Sequence, residues 1–316
     1  MIIDTHVHLI GLREDNGCYL SDKMSGGFVY HLLSYVLGLS GVGPEELDDA
    51  FREQMVDWVD ESDLDGAGLL ALDGVYDDDG QLDRERTHVV IGNDYCLEVA
   101  GDSDKLFPIC SVNPRRHDAI EELERVVEAG AVAIKMLPNS QDFDPASPDY
   151  QPFWERMVRL GVPLITHTSF EHTIPAYEQE YGRPERLVPA LQEGVTVIAA
   201  HCASAGVAHI HEDFDTWQGM LREYPNLYGD ISAMASMARF PYISKVLDDP
   251  LARERVVLGS DFPIPVSPWL FSTKIGISKA MELGRLDNPL QKNLDTFRAL
   301  GVEGAILRRA GRLLKI

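Results

Sequence analysis

The chain has 316 residues, 45% of them hydrophobic and 25% charged, the composition of an ordinary globular protein. Its 51 acidic and 28 basic residues give a formal net charge of −23, which repels phosphates and anionic lipids, so we expect neither nucleic acid nor a membrane as a partner. The sequence contains no run of about 18 apolar residues and starts without the pattern of a secretory signal, which predicts a cytoplasmic protein.

Eight short apolar runs of strand length recur along the chain, separated by stretches of helical character. This alternation is typical of βαβ units with buried parallel strands. Eight parallel strands can close a barrel, so we predict an α/β fold, a (β/α)8 TIM barrel that spans residues 1–316 as a single domain. The predicted strands are Met1–Thr5, Ala67–Leu72, Phe107–Val112, Ala131–Leu137, Pro163–Thr166, Val195–Ala200, Asn226–Ile231 and Arg255–Gly259.

The segments between these strands carry helix signals, namely acidic first turns and apolar stripes at helical spacing. Four of the helices stop directly before a glycine or proline, residues that end helices for different steric reasons. The predicted helices are Pro44–Glu61, Asp118–Ala129, Tyr150–Leu160, Glu185–Glu193, Val207–Tyr224 and Ala305–Ile316.

Residues that can bind a metal ion follow four of the predicted strands. His6 and His8 end the first strand, where the two-residue period of a strand sends both imidazoles to the same side. His167 ends the fifth strand, His201 ends the sixth and Asp261 follows the eighth. Barrel enzymes keep their active sites at the carboxyl ends of the strands, so we expect these five side chains to meet. The pattern therefore predicts a site for a divalent metal ion.

The segments that carry these residues resemble the amidohydrolase superfamily. They read DTHVH at 4–8, GVPLITHT at 161–168, AHC at 200–202 and GSDFP at 259–263. The last is most similar to the amidohydrolase-related group that includes aminocarboxymuconate semialdehyde decarboxylase. The resemblance implies a metal-dependent hydrolase type of barrel, with one ion held by His6, His8, His167 and Asp261 and with His201 left for catalysis. Zinc is the expected ion, and manganese, iron and cobalt suit the same ligands.

Lys135 ends the fourth strand in a segment, IKM at 134–136, that resembles the one whose lysine becomes carboxylated in phosphotriesterase-like members. A carboxylated Lys135 would bridge two ions, with His167 and His201 on the second. Alternatively, Lys135 binds an anionic group of the substrate or pairs with a carboxylate of the site. We expect one ion rather than two.

These parts imply attack on a small-molecule amide, ester or lactone by a water whose pKa the metal lowers. Asp261 would take the proton of this water, and His201 would polarise the carbonyl or stabilise the oxyanion. A nonoxidative decarboxylase of a cyclic or unsaturated acid uses the same groups and stays open as the alternative. A non-catalytic barrel that binds a small molecule would be expected to have lost a ligand, and none is lost. A homo-oligomer is compatible with the sequence.

Other polar residues follow the predicted strands with weaker signals. Glu171 and His172 lie on the loop after the fifth strand, where they would touch the substrate or have an ordinary surface role. Asp230 ends the seventh strand and would order His201, bind substrate or belong to a polar rim. Arg115 and Arg116 follow the third strand, and we expect them to pair with the acidic surface rather than to recognise substrate.

Overall fold

The computed structural model describes residues 1–25, 42–43, 46–206 and 213–316. Eight strands form one parallel sheet in which each strand pairs with the next along the chain, so all eight predicted strands are present. The strands are β1 (Ile3–His8), β2 (Gly66–Leu70), β3 (Leu106–Ser111), β4 (Ala133–Met136), β5 (Leu164–Thr166), β6 (Val197–Ala199), β7 (Leu227–Asp230) and β8 (Val256–Val257).

The sheet curls into a nearly closed barrel because β1 bonds to the segment that follows β8. The backbone nitrogen and the hydroxyl of Thr5 donate hydrogen bonds to the Leu258 carbonyl at 3.0 and 2.8 Å. Farther along, the Asp261 nitrogen donates to the His6 carbonyl at 2.9 Å. Closure therefore brings a residue from the end of the chain's last strand beside the histidines of its first.

Helices connect the strands, and the predicted helices are present within the described residues. The helices are Asp22–Ser25, Leu47–Asp60, Asn93–Ala100, Ala119–Glu128, Pro138–Gln141, Gln151–Leu160, Val188–Glu193, Asp213–Met220, Tyr242–Asp248, Pro250–Arg255, Ser272–Ile275, Ile277–Gly284, Pro289–Ala299 and Ala305–Leu314. The segment predicted as a helix from Glu185 begins as a 3-10 turn, Pro184–Leu187, before the α-helix. Residues 44, 45 and 207–212 of two predicted helices lie outside the described residues.

Two glycines end helices as the sequence predicted. Gly161 and Gly194 adopt φ values of +66° and +106°, the left-handed conformation that glycine adopts at no steric cost. Each lies three residues before a barrel strand, β5 or β6. The tight turns thus fix where these two strands begin, and so where their last residues project.

The barrel interior is apolar over much of its length. One cluster inside it is formed by the buried residues Ile3, Leu70, Ile109, Ala133, Ile165, Ile198, Val257, Ala310 and Leu314. The last two belong to the C-terminal helix Ala305–Leu314, which packs against β1 and β8. Because this cluster fills the interior, the polar side chains gather at the carboxyl ends of the strands.

Within the described residues, the structure contains two further strands that were not predicted. Tyr19–Leu20 and Val89–Val90 pair as an antiparallel ribbon that joins the connection after β1 to the connection after β2. Within the described ranges, no helix is long and apolar enough to cross a membrane.

Candidate metal centre and substrate pocket

Three of the predicted ligands converge at the carboxyl end of the barrel. The Nε2 atoms of His6 and His8 each lie 3.2 Å from Oδ1 of Asp261, and the three potential ligand atoms lie within 4.8 Å of one another. His6 is buried, whereas His8 is 40% exposed at the mouth of the barrel. Two imidazoles and a carboxylate are a donor set that suits a divalent cation.

Asp230, the last residue of β7, orients the histidines. Its Oδ2 lies 2.9 Å from Nδ1 of His6, which leaves Nε2 of that ring facing Asp261. Its Oδ1 accepts hydrogen bonds from the backbone nitrogens of His201 and Ser232 at 2.6 and 3.0 Å. Burial alone would raise the pKa of Asp230, but His6 and these hydrogen bonds lower it below its ordinary value. A carboxylate that fixes the outer nitrogen of an imidazole is typical of metal sites.

His167 and His201 form a second cluster, in which Nδ1 of His167 lies 3.2 Å from Nε2 of His201. Burial lowers the pKa of His167 to about 4 and the pKa of His201 well below its ordinary value, so both rings are neutral near pH 7. Their other nitrogens, Nε2 of His167 and Nδ1 of His201, have no hydrogen-bond partner among the described residues. A buried polar atom without a partner costs about 1–3 kcal/mol, so these atoms are expected to meet an ion or a substrate.

The backbone is strained at two residues of the site. His201 and Asp261 adopt φ values of +43° and +64°, the left-handed region that costs a side-chain-bearing residue about 1–3 kcal/mol. The hydrogen bonds from the His201 nitrogen to Asp230 and from the Asp261 nitrogen to His6 hold these conformations. The fold thus stabilises conformations that aim both side chains at the pocket.

Lys135 is buried beside the first cluster. Its Nζ lies 3.3 Å from Nε2 of His6, and burial lowers the pKa of the amine. An amine with a lowered pKa has less tendency to carry the charge that would repel a metal ion nearby.

The remaining predicted site residues lie farther from the first cluster. His167 is not in the group of ligand atoms around Asp261 in the described part of the chain, so its place in a four-ligand set stays a prediction. Oε2 of Glu171 lies 3.5 Å from Nδ1 of His167, while Oε1 accepts bonds from two backbone nitrogens of its own loop. His172 is exposed, and its ring stacks on Phe170 with the ring centroids 6.2 Å apart.

Sequence reasoning missed Arg239. This residue lies on the loop after β7, is only 8% exposed, and has an Nη1 atom without a hydrogen-bond partner among the described residues. Burial lowers its pKa, and the charges of Asp261, Glu171 and Asp230 oppose that change, which indicates that the guanidinium faces the pocket. The signal that could have found it is a single arginine in a stretch of small and apolar residues, AMASMARF at 233–240.

A second polar region lies outside the histidine clusters, around a cavity of about 570 Å³ whose lining includes Asp73, Tyr76 and Arg116. As the sequence predicted, Arg116 pairs with acidic residues, and so does Arg115. No buried side-chain atom of this lining lacks a hydrogen-bond partner where the structure describes the chain.

A family model described as Amidohydrolase matches residues 3–286. No curated protein matches the chain. Similar solved structures include an uncharacterised TIM-barrel protein from Bordetella bronchiseptica (TM-score 0.67, 15% identity, 99% of this chain and 98% of that one). A probable 2-pyrone-4,6-dicarboxylic acid hydrolase from Acinetobacter baumannii matches with a TM-score of 0.57 at 15% identity (100% and 99%). The 5-carboxyvanillate decarboxylase from Sphingomonas paucimobilis matches with a TM-score of 0.56 at 13% identity (100% and 99%). At such low identity, these structural similarities show a shared fold alone.

Proposed function

Because the chain belongs to the amidohydrolase family, as the sequence resemblance predicted, we propose that it is a metal-dependent hydrolase of a small molecule. The reaction is attack of water on a carbonyl-type carbon of an amide, ester or lactone. The observation that supports this most directly is the convergence of His6, His8 and Asp261, with the neutral His201 in the same pocket.

His6, His8 and Asp261 would hold the ion, with His167 as the expected fourth ligand. The donor set fits zinc, and manganese, iron or cobalt would accept it as well. When bound, such an ion supplies Lewis acidity and lowers the pKa of water toward neutrality.

Asp261 is the proposed general base. Burial alone would raise the pKa of its carboxyl, but His6 and the hydrogen bond from His8 lower it, so the group is ionised near pH 7. An ionised carboxylate at this position can accept the proton of the attacking water and then return it to the leaving group. His201, held by Asp230 through its backbone, offers its unpaired Nδ1 to the oxygen on which negative charge develops.

Lys135 decides between one ion and two. We expect one ion, with Lys135 as an amine beside His6 whose pKa is lowered by burial. The alternative is a carboxylated Lys135 with a second ion on His167 and His201. Nδ1 of His167 and Nε2 of His201 face each other 3.2 Å apart, so these two rings would hold such an ion.

A decarboxylase of a cyclic or unsaturated acid is the second candidate, and the buried Arg239 favours an acid as substrate. The ionised Asp261 would first take a proton from water and then pass it to the carbon whose bond to the departing carbon dioxide breaks. The neighbours from Acinetobacter baumannii and Sphingomonas paucimobilis are named for a hydrolase and a decarboxylase, so their substrates suggest which compounds to assay.

Metal content tests the centre directly. The protein is loaded with zinc, freed of excess metal and measured by elemental analysis, and we expect about one ion per chain. His8→Ala should lose most of this zinc, whereas His117→Ala, which removes an exposed histidine outside the group of His6, His8 and Asp261, should retain it. Equal zinc in the His8→Ala variant and the wild type would overturn the metal centre. Two ions per chain, falling to one in Lys135→Met, would establish the bridged alternative.

A substrate panel in ¹⁸O-labelled water separates the two reactions. The panel contains lactones, esters and amides of aromatic and unsaturated acids, together with the free acids. Hydrolysis places ¹⁸O in a carboxylate product and releases no carbon dioxide, whereas decarboxylation of a free acid releases carbon dioxide. Turnover by His8→Ala at the rate of the wild type would assign the activity to another site or another protein.

A further inference from the structure

Arg239 is held in the pocket by a loop that is tied to the strands of the site. The Ala233 nitrogen donates to the Ser260 carbonyl at 3.1 Å, next to Asp261, and the Ser267 nitrogen donates to the Ala235 carbonyl at 2.8 Å. These bonds connect the loop after β7 to the segment after β8. The position of the Arg239 backbone is therefore fixed relative to Asp261.

One guanidinium nitrogen of Arg239 has no hydrogen-bond partner among the described residues. Among the described residues no carboxylate lies within 4.0 Å of it, and its Nη1 atom is buried without a hydrogen bond. Removing a guanidinium from water without a compensating anion is costly, and natural proteins pair such groups. A buried guanidinium with an unpaired nitrogen is thus expected to bind an anion.

The carboxylates of the site already have other partners. Asp261 lies against His6 and His8, and Asp230 lies against His6 and the His201 nitrogen. Glu171 accepts bonds from the nitrogens of residues 173 and 174. Among the described residues no carboxylate is left to pair with Arg239, so an anion from a ligand would complete it.

We propose that Arg239 binds a carboxylate of the substrate, and that this carboxylate is not the reacting group. The inference rests on the proposed function, because it takes the His6, His8 and Asp261 cluster as the place where bonds change. An arginine ion pair stabilises negative charge, so it would oppose departure of the same carboxylate as neutral carbon dioxide. The substrate is thus an organic acid that keeps one carboxylate in the product: a lactone, ester or amide with a free carboxylate, or a diacid.

Binding of benzoate measured by calorimetry tests this role, with methyl benzoate as the uncharged control. Measurements use the zinc-loaded protein and are repeated after removal of the metal with a chelator. We expect Arg239→Met to weaken benzoate binding by about 10- to 100-fold in both forms, since hydrogen bonds to charged groups are strong. Arg239→Lys keeps the charge and loses the bidentate geometry, so it should lose less affinity. Arg116→Met removes the paired arginine and should bind benzoate like the wild type.

Equal benzoate affinity in the wild type and Arg239→Met, or no benzoate binding by the wild type, would overturn the proposal. With a substrate from the panel, Arg239→Met should raise KM by about 10- to 100-fold and change kcat by less than about threefold. A fall in kcat at unchanged KM would instead place Arg239 at the reacting group. The zinc content of Arg239→Met should equal that of the wild type, so failure of this inference is distinct from failure of the metal centre.

Discussion

Two arginines on the loops at the carboxyl end of the barrel have opposite surroundings. Arg116 is 19% exposed, donates two hydrogen bonds of 2.9 Å to Asp118, a third of 2.7 Å to Tyr76, and lies 3.5 Å from Asp73. Arg239 is 8% exposed, and no such bond from its guanidinium is formed in the described part of the chain. Both cations are largely removed from solvent, yet only Arg116 is neutralised by contacts with carboxylates of the described residues.

The difference distinguishes a region whose polar groups are paired within the fold from a region whose polar groups are expected to pair with a ligand. Around Arg116 the donors and acceptors satisfy one another, so the cavity beside it is best explained as part of the structure. Around Arg239, buried atoms of His167 and His201, whose rings interact electrostatically with its charge, also lack hydrogen-bond partners among the described residues. Buried polar groups are normally paired, so a concentration of unpaired ones marks a site that something else completes.

The largest change in kcat is expected from replacing Asp261, the carboxylate beside His6 and His8. Asp261→Asn removes the proposed general base and a metal ligand, so kcat for a substrate found in the panel should fall by at least about 100-fold. Asp118→Asn changes a carboxylate of the Arg116 network and should leave kcat within about twofold of the wild type. Similar kcat values in Asp261→Asn and Asp118→Asn would contradict the proposal that catalysis takes place at Asp261 and not in the Arg116 region.

Replacing the two arginines should change stability in unequal ways. Arg116→Met leaves Asp73 buried without its cation and should lower the free energy of unfolding by about 1–3 kcal/mol, less than for a fully buried pair because Arg116 is partly exposed. Arg239→Met removes an unpaired buried charge, so stability should stay the same or rise by up to about 1–2 kcal/mol. Urea unfolding followed by circular dichroism measures both. A larger loss in Arg239→Met would show that this arginine is structural.

Most of the barrel could be predicted from the sequence because it depends on patterns that repeat. All eight strands were found from apolar runs, and the helix ends from Gly161 and Gly194. The boundary of β1 was wrong: the prediction ended at Thr5, whereas the strand continues to His8. The reason is that its last residues pair with β2 and bond to the segment after β8, which are long-range contacts with no local signal.

The site was predictable only as far as its residues follow strands. His6, His167 and Asp261 each end or follow one, so the sequence predicts that they gather. It gives no information on which rings face each other, and the contact of His167 with His201 depends on side-chain directions set by packing. Arg239 was not predicted as a site residue because it lies on an irregular loop, whose path is fixed by hydrogen bonds such as that from Ala233 to Ser260.

Acid should reduce the stability contribution of Arg116. The hydrogen bond from Arg116 is the largest cause that lowers the pKa of Asp118 below its ordinary 3.8. A carboxyl whose pKa is lower in the folded state stabilises the fold above its unfolded pKa, and this contribution is lost as the pH falls through the folded value. The destabilisation by Arg116→Met should therefore be largest near pH 7 and shrink below about pH 4.

Arg239→Met supplies the comparison for this pH dependence. No carboxylate of the described residues is in contact with Arg239, so the stability difference between this variant and the wild type should change less between pH 7 and pH 3. Parallel urea titrations across that range measure both differences. An Arg116→Met effect that stays constant with pH would mean that it arises from lost packing rather than from the ion pair.

The smallest expected effect is a gain in benzoate affinity, produced by replacing Glu171. Glu171 is 8% exposed and its charge acts on Arg239, so it competes with an incoming anion. Glu171→Gln keeps an oxygen for the nitrogens of Thr173 and Ile174, so the loop should hold. Removing one charge several ångströms from the anion should strengthen benzoate binding by about two- to threefold.

Glu122→Gln is the matched control for Glu171→Gln, because Glu122 is also largely buried, at 11% exposure, but pairs with Arg125 beside the other cavity. Its benzoate affinity should equal that of the wild type. The gain in Glu171→Gln should diminish as salt is added, since screening weakens interactions between charges that reach the solvent. Weaker benzoate binding in Glu171→Gln would mean that Glu171 positions Arg239 rather than opposing the anion. An equal gain in affinity in both variants would mean that the gain arises from the net charge of the protein.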